Sequence, residues 1–271
     1  MSKIVFIGGG NMASCLIGGM LANGFSKRDI LVGEPGESAR QRIESTHGVN
    51  STDDNLSAAS AAEIIVLAVK PQILGAVAMS LAPALSHQPT IISIAAGIPV
   101  SALQNWLGEG LKIVRAMPNT PAMVQTGATG LFASQSLAPE EKNIVEKMFG
   151  AVGYTCWVEN EALIDAVTAV SGSGPAYFFL VYEAMQQVGQ ELGLDSKTAT
   201  QLTLHTALGA ARLALDADTS PSELRQQVTS PGGTTQAAVE SFQDQGLEEI
   251  FRTAMTSAVD RAKQMSTDFA S

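Results

Sequence analysis

Cysteine, histidine and positive charge are all scarce in this chain of 271 residues. Its two cysteines, Cys15 and Cys156, lie far apart in apolar surroundings with no CxxC spacing. That argues against a disulfide framework and for reduced thiols in a cytoplasmic protein. The three histidines, His47, His87 and His205, are scattered at no ligand spacing, so no metal is expected. Lysine and arginine number 16 against 26 acidic residues, a net charge of −10. A nucleic-acid partner needs a basic footprint and is not expected, whereas a nucleotide cofactor, held by local amides and one or two cations, remains compatible. No apolar run approaches the ~18 residues of a membrane span, and the first is too short for a signal segment. Neither a membrane partner nor export is expected.

What is present is a chain with 45% hydrophobic residues, long enough for two domains. It is organised around its start, where Lys3-Ile4-Val5-Phe6-Ile7 runs into Gly8-Gly9-Gly10-Asn11-Met12-Ala13. The apolar, β-branched run predicts a buried strand. Gly8 permits the tight turn, Gly10 lets the backbone approach a pyrophosphate, and Ala13 still allows a helix to pack close. The amides that follow would face phosphate from a helix N-terminus.

A second strand, Ile30 to Pro35, carries Glu34 near the place where a carboxylate accepts hydrogen bonds from an adenosine ribose. Ser38, Arg40 and Arg42 follow in the same turn, and an arginine there can instead clamp a 2′-phosphate, so these residues leave NADH and NADPH both open. A short strand around Gly48-Val49-Asn50 leads to Asp53-Asp54-Asn55, expected to cap a helix over 55–62. The strand Ile64 to Val69 stops at Lys70-Pro71, and in an open α/β sheet a polar residue at that end faces the cofactor crevice. The pattern recurs at Thr90 to Ile94 before Ala95-Ala96-Gly97, and at Lys112 to Ala116 before Met117-Pro118-Asn119-Thr120-Pro121. Strands at Thr126 to Ser134 and Gly153 to Val158, with a helix at Pro139 to Phe149 between them, complete a doubly wound α/β sheet over residues 1–158.

Beyond Glu159 only helical spacing remains: 162–170, 176–192, 197–215, 221–228, 234–245 and 247–266. Tyr177-Phe178-Phe179-Leu180-Val181-Tyr182 is apolar on every face. Such a helix must be buried, and the expected cover is a second subunit. The stretch Thr168 to Ala176 predicts a helix broken and restarted. Thr229-Ser230-Pro231-Gly232-Gly233-Thr234-Thr235 predicts a carboxylate nest at a helix start.

Together these residues resemble the pyrroline-5-carboxylate reductases, which make proline. The resemblance spans the chain: Phe6 to Ala13, Ala68 to Pro71, Ser93 to Gly97, Arg115 to Pro121, Val170 to Tyr177 and Ser230 to Thr235. It implies a Rossmann domain over 1–158 followed by an α-helical dimerisation and substrate-binding domain over 159–271, with dimers that can assemble into a decamer. It implies that Ile7, Gly8, Gly9, Gly10, Asn11, Met12, Asn55, Ala68, Val69, Lys70, Pro71, Ala95, Ala96, Gly97, Met117 and Asn119, with Glu34, hold NADPH or NADH. On the substrate side it implies Ser230, Gly232, Gly233, Thr234 and Thr235 for the carboxylate, Thr168 for the ring nitrogen, and Glu161 and Gln227 as further contacts. Asp218 and Gln227 depart from the Glu and Asn common in relatives, and Glu34 departs from the patterns that favour NADP.

The chemistry also follows from what is missing. Met148 to Ser196 contains no lysine, arginine or histidine, whereas a hydroxy-acid dehydrogenase needs such a group to move a proton at an alcohol or ketone. A protonated cyclic imine is already an electrophile and needs mainly alignment and a grip on its carboxylate. The same absence argues against a β-hydroxyacid dehydrogenase of similar layout. The carboxylate nest argues against a non-catalytic nucleotide-binding module.

Overall fold

The computed structural model describes residues 3–270, without the side chain of Ala270. Its chain falls into two compact units: one contains the residues up to Pro175 together with those from Ser257 onward, the other Ala176–Thr256.

The first unit is built on eight strands: β1 (Ile4–Ile7), β2 (Ile30–Gly33), β3 (Asn50–Thr52), β4 (Ile64–Leu67), β5 (Thr90–Ser93), β6 (Ile113–Met117), β7 (Gly127–Ala133) and β8 (Gly153–Trp157). They form one sheet in the order β3-β2-β1-β4-β5-β6-β7-β8. Every residue of β1, β4 and β5 is buried, because parallel strands in this sheet are covered on both faces. One face packs Phe6, Val32 and Val66 against Leu16, Ile17, Met20 and Phe149, from α1 (Asn11–Ala22) and α6 (Pro139–Gly150). The other packs Ile7, Ile65 and Leu67 against Ala58, Leu74, Leu81 and Leu103, from α3 (Asn55–Ala59), α4 (Pro71–Leu81) and α5 (Val100–Leu107). Helix α2 (Glu37–His47) joins β2 to β3.

Two local expectations are corrected. The third strand is Asn50–Thr52 rather than the stretch around Gly48-Val49-Asn50, because Gly48, at φ +66°, ends α2 instead. Within the expected doubly wound sheet the strand direction reverses at β7. β7 runs antiparallel to β6, since residues 118–126 are too few for the dozen or so that a parallel crossover requires. The helix after Thr168 does not break. Helix α7 (Leu163–Val167) continues through a π turn at Thr168–Gly172 into α8 (Gly174–Glu191).

The cause of that turn is local. Pro175 has no N–H to give the Ser171 carbonyl four residues earlier. The Asn119 side-chain amide supplies that bond instead, Nδ2 to Ser171 O at 2.9 Å. By length and composition alone, Leu163–Glu191 is also long and apolar enough to cross a membrane. Its average rises through apolar residues spread among Gly, Ser and Gln, a pattern that a search for uninterrupted runs overlooks.

The second unit holds most of α8, then α9 (Ser196–Asp216), α10 (Pro221–Gln227), α11 (Thr234–Asp244) and the first part of α12 (Leu247–Ala270). Asp195 caps α9 through Thr198 N–H, and a capping box at Ser220 and Glu223 starts α10. Phe178, Phe179 and Leu180 are 62%, 58% and 67% exposed. The chain itself therefore leaves the apolar face of α8 uncovered.

Candidate active site

Sheet order locates the crevice. The chain winds one way from β1 to β2 and β3, and the other way from β4 onward, so the switch point lies between the C-terminal ends of β1 and β4. The glycine turn sits there. Gly8 has φ +103°, and a Cβ on it would stand 2.8 Å from Ala68 O and 2.9 Å from Val69 Cγ1. Glycine is therefore needed both for conformation and for contact with the end of β4. Next to Gly10 a Cβ would meet nothing closer than Ala68 O at 4.0 Å, which leaves the loop open where a ligand would approach.

The start of α1 is electrostatically uncompensated. Its N-cap is Gly10, no side chain caps it, and its first turn contains no acidic residue. The amides of Asn11 and Met12 thus present a positive helix end ready for an anion. Lys70, exposed at the end of β4, stands at the N-cap of α4, with Pro71 at the first helical position. Beside the loop, Gly9 N–H donates to Glu34 Oε2 at 2.9 Å. Asn55 Oδ1 lies buried against Gly33 without a hydrogen-bond donor. This open cradle and its unpaired acceptor fit a dinucleotide.

The next two strand ends adjoin it. Ala95, Ala96 and Gly97 follow β5, with Gly97 at φ +73°, and a Cβ there would run into Met265 at 2.8 Å. Met117 ends β6, and a Cβ on Gly172 would lie 2.6 Å from Met117 Cε and 3.6 Å from Thr168 Cγ2. The π turn carrying Thr168 is therefore packed on the end of β6. Thr168 Oγ1 donates to Ile164 O at 2.8 Å, so its proton is spoken for and its lone pairs remain as acceptors.

Asn119 is committed internally: its Nδ2 holds Ser171 O, and its Oδ1 accepts from Ala128 N–H at 2.8 Å. It fastens the Thr168 turn to the sheet, a role that its place in a cofactor-facing motif did not reveal. Glu161 Oε1 likewise accepts from Arg115 Nη1 at 2.8 Å and from Val100 N–H at 2.7 Å. Nearby, burial pushes the Asp165 carboxyl above its ordinary pKa, against the opposing pull of Arg115 and Lys263. Residues 263 and 265 come from the far end of the chain, and no local pattern announced them.

The nest lies in the second unit. Gly232 has φ +69°, and its N–H donates to Gln236 Oε1 at 2.7 Å. Gly233 caps α11 without a side chain, so the first-turn amides of Thr234 and Thr235 are open at a helix N-terminus. Ser230 O accepts from Gly233 N–H at 3.0 Å, and Gln227 ends α10 just before this turn.

A family model for pyrroline-5-carboxylate reductase dimerisation matches residues 161–265. One for coenzyme F420-dependent NADP oxidoreductases matches residues 3–97. The chain is 47% identical over 264 residues to the pyrroline-5-carboxylate reductase of Pseudomonas aeruginosa, covering 97% of each. The chain belongs to the pyrroline-5-carboxylate reductases. The reductase of Pasteurella multocida is 44% identical to it, with 98% of each chain covered. Among solved structures, the Coxiella burnetii reductase matches with TM-score 0.94 at 45% identity, and the Plasmodium falciparum reductase with NADP bound with TM-score 0.86 at 30% identity. Each match covers 98% of both chains. Residues 161–265 of the reductase, α8 included, thus match a dimerisation region.

Proposed function

We propose that this protein reduces L-1-pyrroline-5-carboxylate to L-proline, the final step of proline biosynthesis, by hydride transfer from NADPH or NADH. The carrying observation is the full-length match to reductases that bear this name. The open glycine cradle and the acceptor-only Thr168 hydroxyl are the features of the fold that suit the chemistry.

In this reading Gly8 to Met12, Glu34, Asn55, Lys70 and the ends of β4, β5 and β6 hold the dinucleotide, which when bound supplies the hydride. Thr168 serves the ring nitrogen. With its own proton on Ile164 O, its hydroxyl oxygen can accept the N–H of the protonated imine and so favour the electrophilic form. The open amides of Thr234 and Thr235, with the Ser230 hydroxyl, grip the substrate carboxylate. Gln227 stands beside them. Glu161 serves the substrate side through Arg115 and the start of α5.

Residues 1–158 form the cofactor domain and 159–271 the dimerisation and substrate domain, with the α8 face buried against a second copy and five such dimers as the decamer. We place the enzyme in the cytoplasm, which the free thiols of Cys15 and Cys156 support. Because Leu163–Glu191 lies wholly within the matched dimerisation region, its apolar surface is assigned to the subunit interface and not to lipid. Oxidation of NADH or NADPH at 340 nm with pyrroline-5-carboxylate, accompanied by proline formation, is the expected result. Dinucleotide binding without turnover on this substrate rejects the assignment.

A further inference from the structure

We infer that Glu34 makes this enzyme select NADH over NADPH, an inference that rests on the reductase reading above. Glu34 immediately follows β2, and its carboxylate is fixed from two sides. Oε2 accepts from Gly9 N–H at 2.9 Å and Oε1 from Gly36 N–H at 2.9 Å. Gly36 is the N-cap of α2, a helix end where backbone amides would otherwise welcome a phosphate. That position already holds an anion belonging to the chain. A second carboxylate, Glu37, sits in the first turn of the same helix.

Each Glu34 oxygen has used one acceptor site and keeps another. Two acceptors held in fixed positions suit the two hydroxyl donors of an adenosine ribose. A 2′-phosphate would bring negative charge and no donor to the same place.

The cations that could reverse this preference are turned to the backbone. Arg40 Nη1 donates to Glu34 O and to Pro35 O, each at 2.8 Å, and Arg42 Nη2 donates to Gly9 O at 3.1 Å. Among the described residues neither guanidinium is ion-paired with the Glu34 carboxylate. Each guanidinium thus has one terminal nitrogen engaged in shaping the turn. Ser38 is exposed in the same turn and offers one hydroxyl, too little to offset the repulsion.

The test is direct titration of the purified full chain with NADH and NADPH, and with ADP-ribose and 2′-phospho-ADP-ribose, which differ only in the phosphate. NADH and ADP-ribose are expected to bind at least about tenfold more tightly than their phosphorylated counterparts. Glu34→Gln keeps an acceptor for the loop amides but removes the charge, and is expected to collapse that ratio. Equal or tighter binding of the phosphorylated forms by the wild type overturns the inference, as does an unchanged ratio in Glu34→Gln. Should that variant not fold, Arg40→Ala supplies the second arm. Equal weakening of both dinucleotides is expected, and a loss confined to NADPH would place the phosphate on Arg40 and overturn the inference. Turnover with pyrroline-5-carboxylate is read separately: a clear preference in binding without turnover rejects the substrate and leaves the preference standing, and binding of neither dinucleotide rejects both.

Discussion

Arg115 on β6 and Glu161 just before α7, 46 residues apart in sequence, meet in a 2.8 Å ion pair at the edge of the candidate site. Arg115 is only 6% exposed, so removing that partner leaves a buried charge unbalanced. Glu161→Ala is expected to cost about 2 kcal/mol, below the range for fully buried pairs because the glutamate is partly solvated. Adding Arg115→Met should recover part of the loss. Urea unfolding checks both, and a double variant no more stable than Glu161→Ala alone would show that the unpaired guanidinium is not the cause.

Thr168→Val keeps the shape of the side chain and removes the acceptor. We expect kcat/KM for pyrroline-5-carboxylate to fall about tenfold, a cost of roughly 1.4 kcal/mol, with little change in Tm. Thr168→Ser should restore most of the activity. Steady-state kinetics alongside thermal melts separate this from a packing defect, which serine would not rescue.

Gly8→Ala places a methyl group 2.8 Å from Ala68 O at φ +103°. Strain and collision act together, so a destabilisation of about 2 kcal/mol or more is expected, along with weakened dinucleotide binding. A variant with wild-type melting and wild-type NADH affinity would mean that the turn is not held as described.

Lys112 Nζ donates to both oxygens of Glu141, at 2.7 and 2.8 Å. Chiefly through that hydrogen bond, the Glu141 carboxyl is held below its usual pKa. A depressed folded-state pKa gives stability that is present above the unfolded carboxylate value and lost as pH falls through the folded one. The pair is partly solvated, so about 1 kcal/mol is expected. Lys112→Met should therefore be less stable than wild type at pH 7, with the gap closing on acidification below about pH 4. Melting curves across that range test the sign.

The sequence by itself determined the elements and their kinds. The all-apolar strands, the glycine turn at Gly8 and the loss of strand pattern after Glu159 are legible because burial on both faces, positive φ and helical spacing each demand particular residue types nearby in sequence. The motif at Thr168 to Ala176 is legible, but its conformation is not, because the donor that Pro175 lacks is supplied by the distant Asn119.

Tertiary structure alone decided how remote groups are used. Arg115 and Glu161 pair, Met265 closes on Gly97, Asn119 turns inward and the Glu34 carboxylate settles on the amides of Gly9 and Gly36. Such contacts depend on which strand ends and helix termini the sheet order brings side by side. That order is set by packing of the whole chain, so no local spacing encodes it.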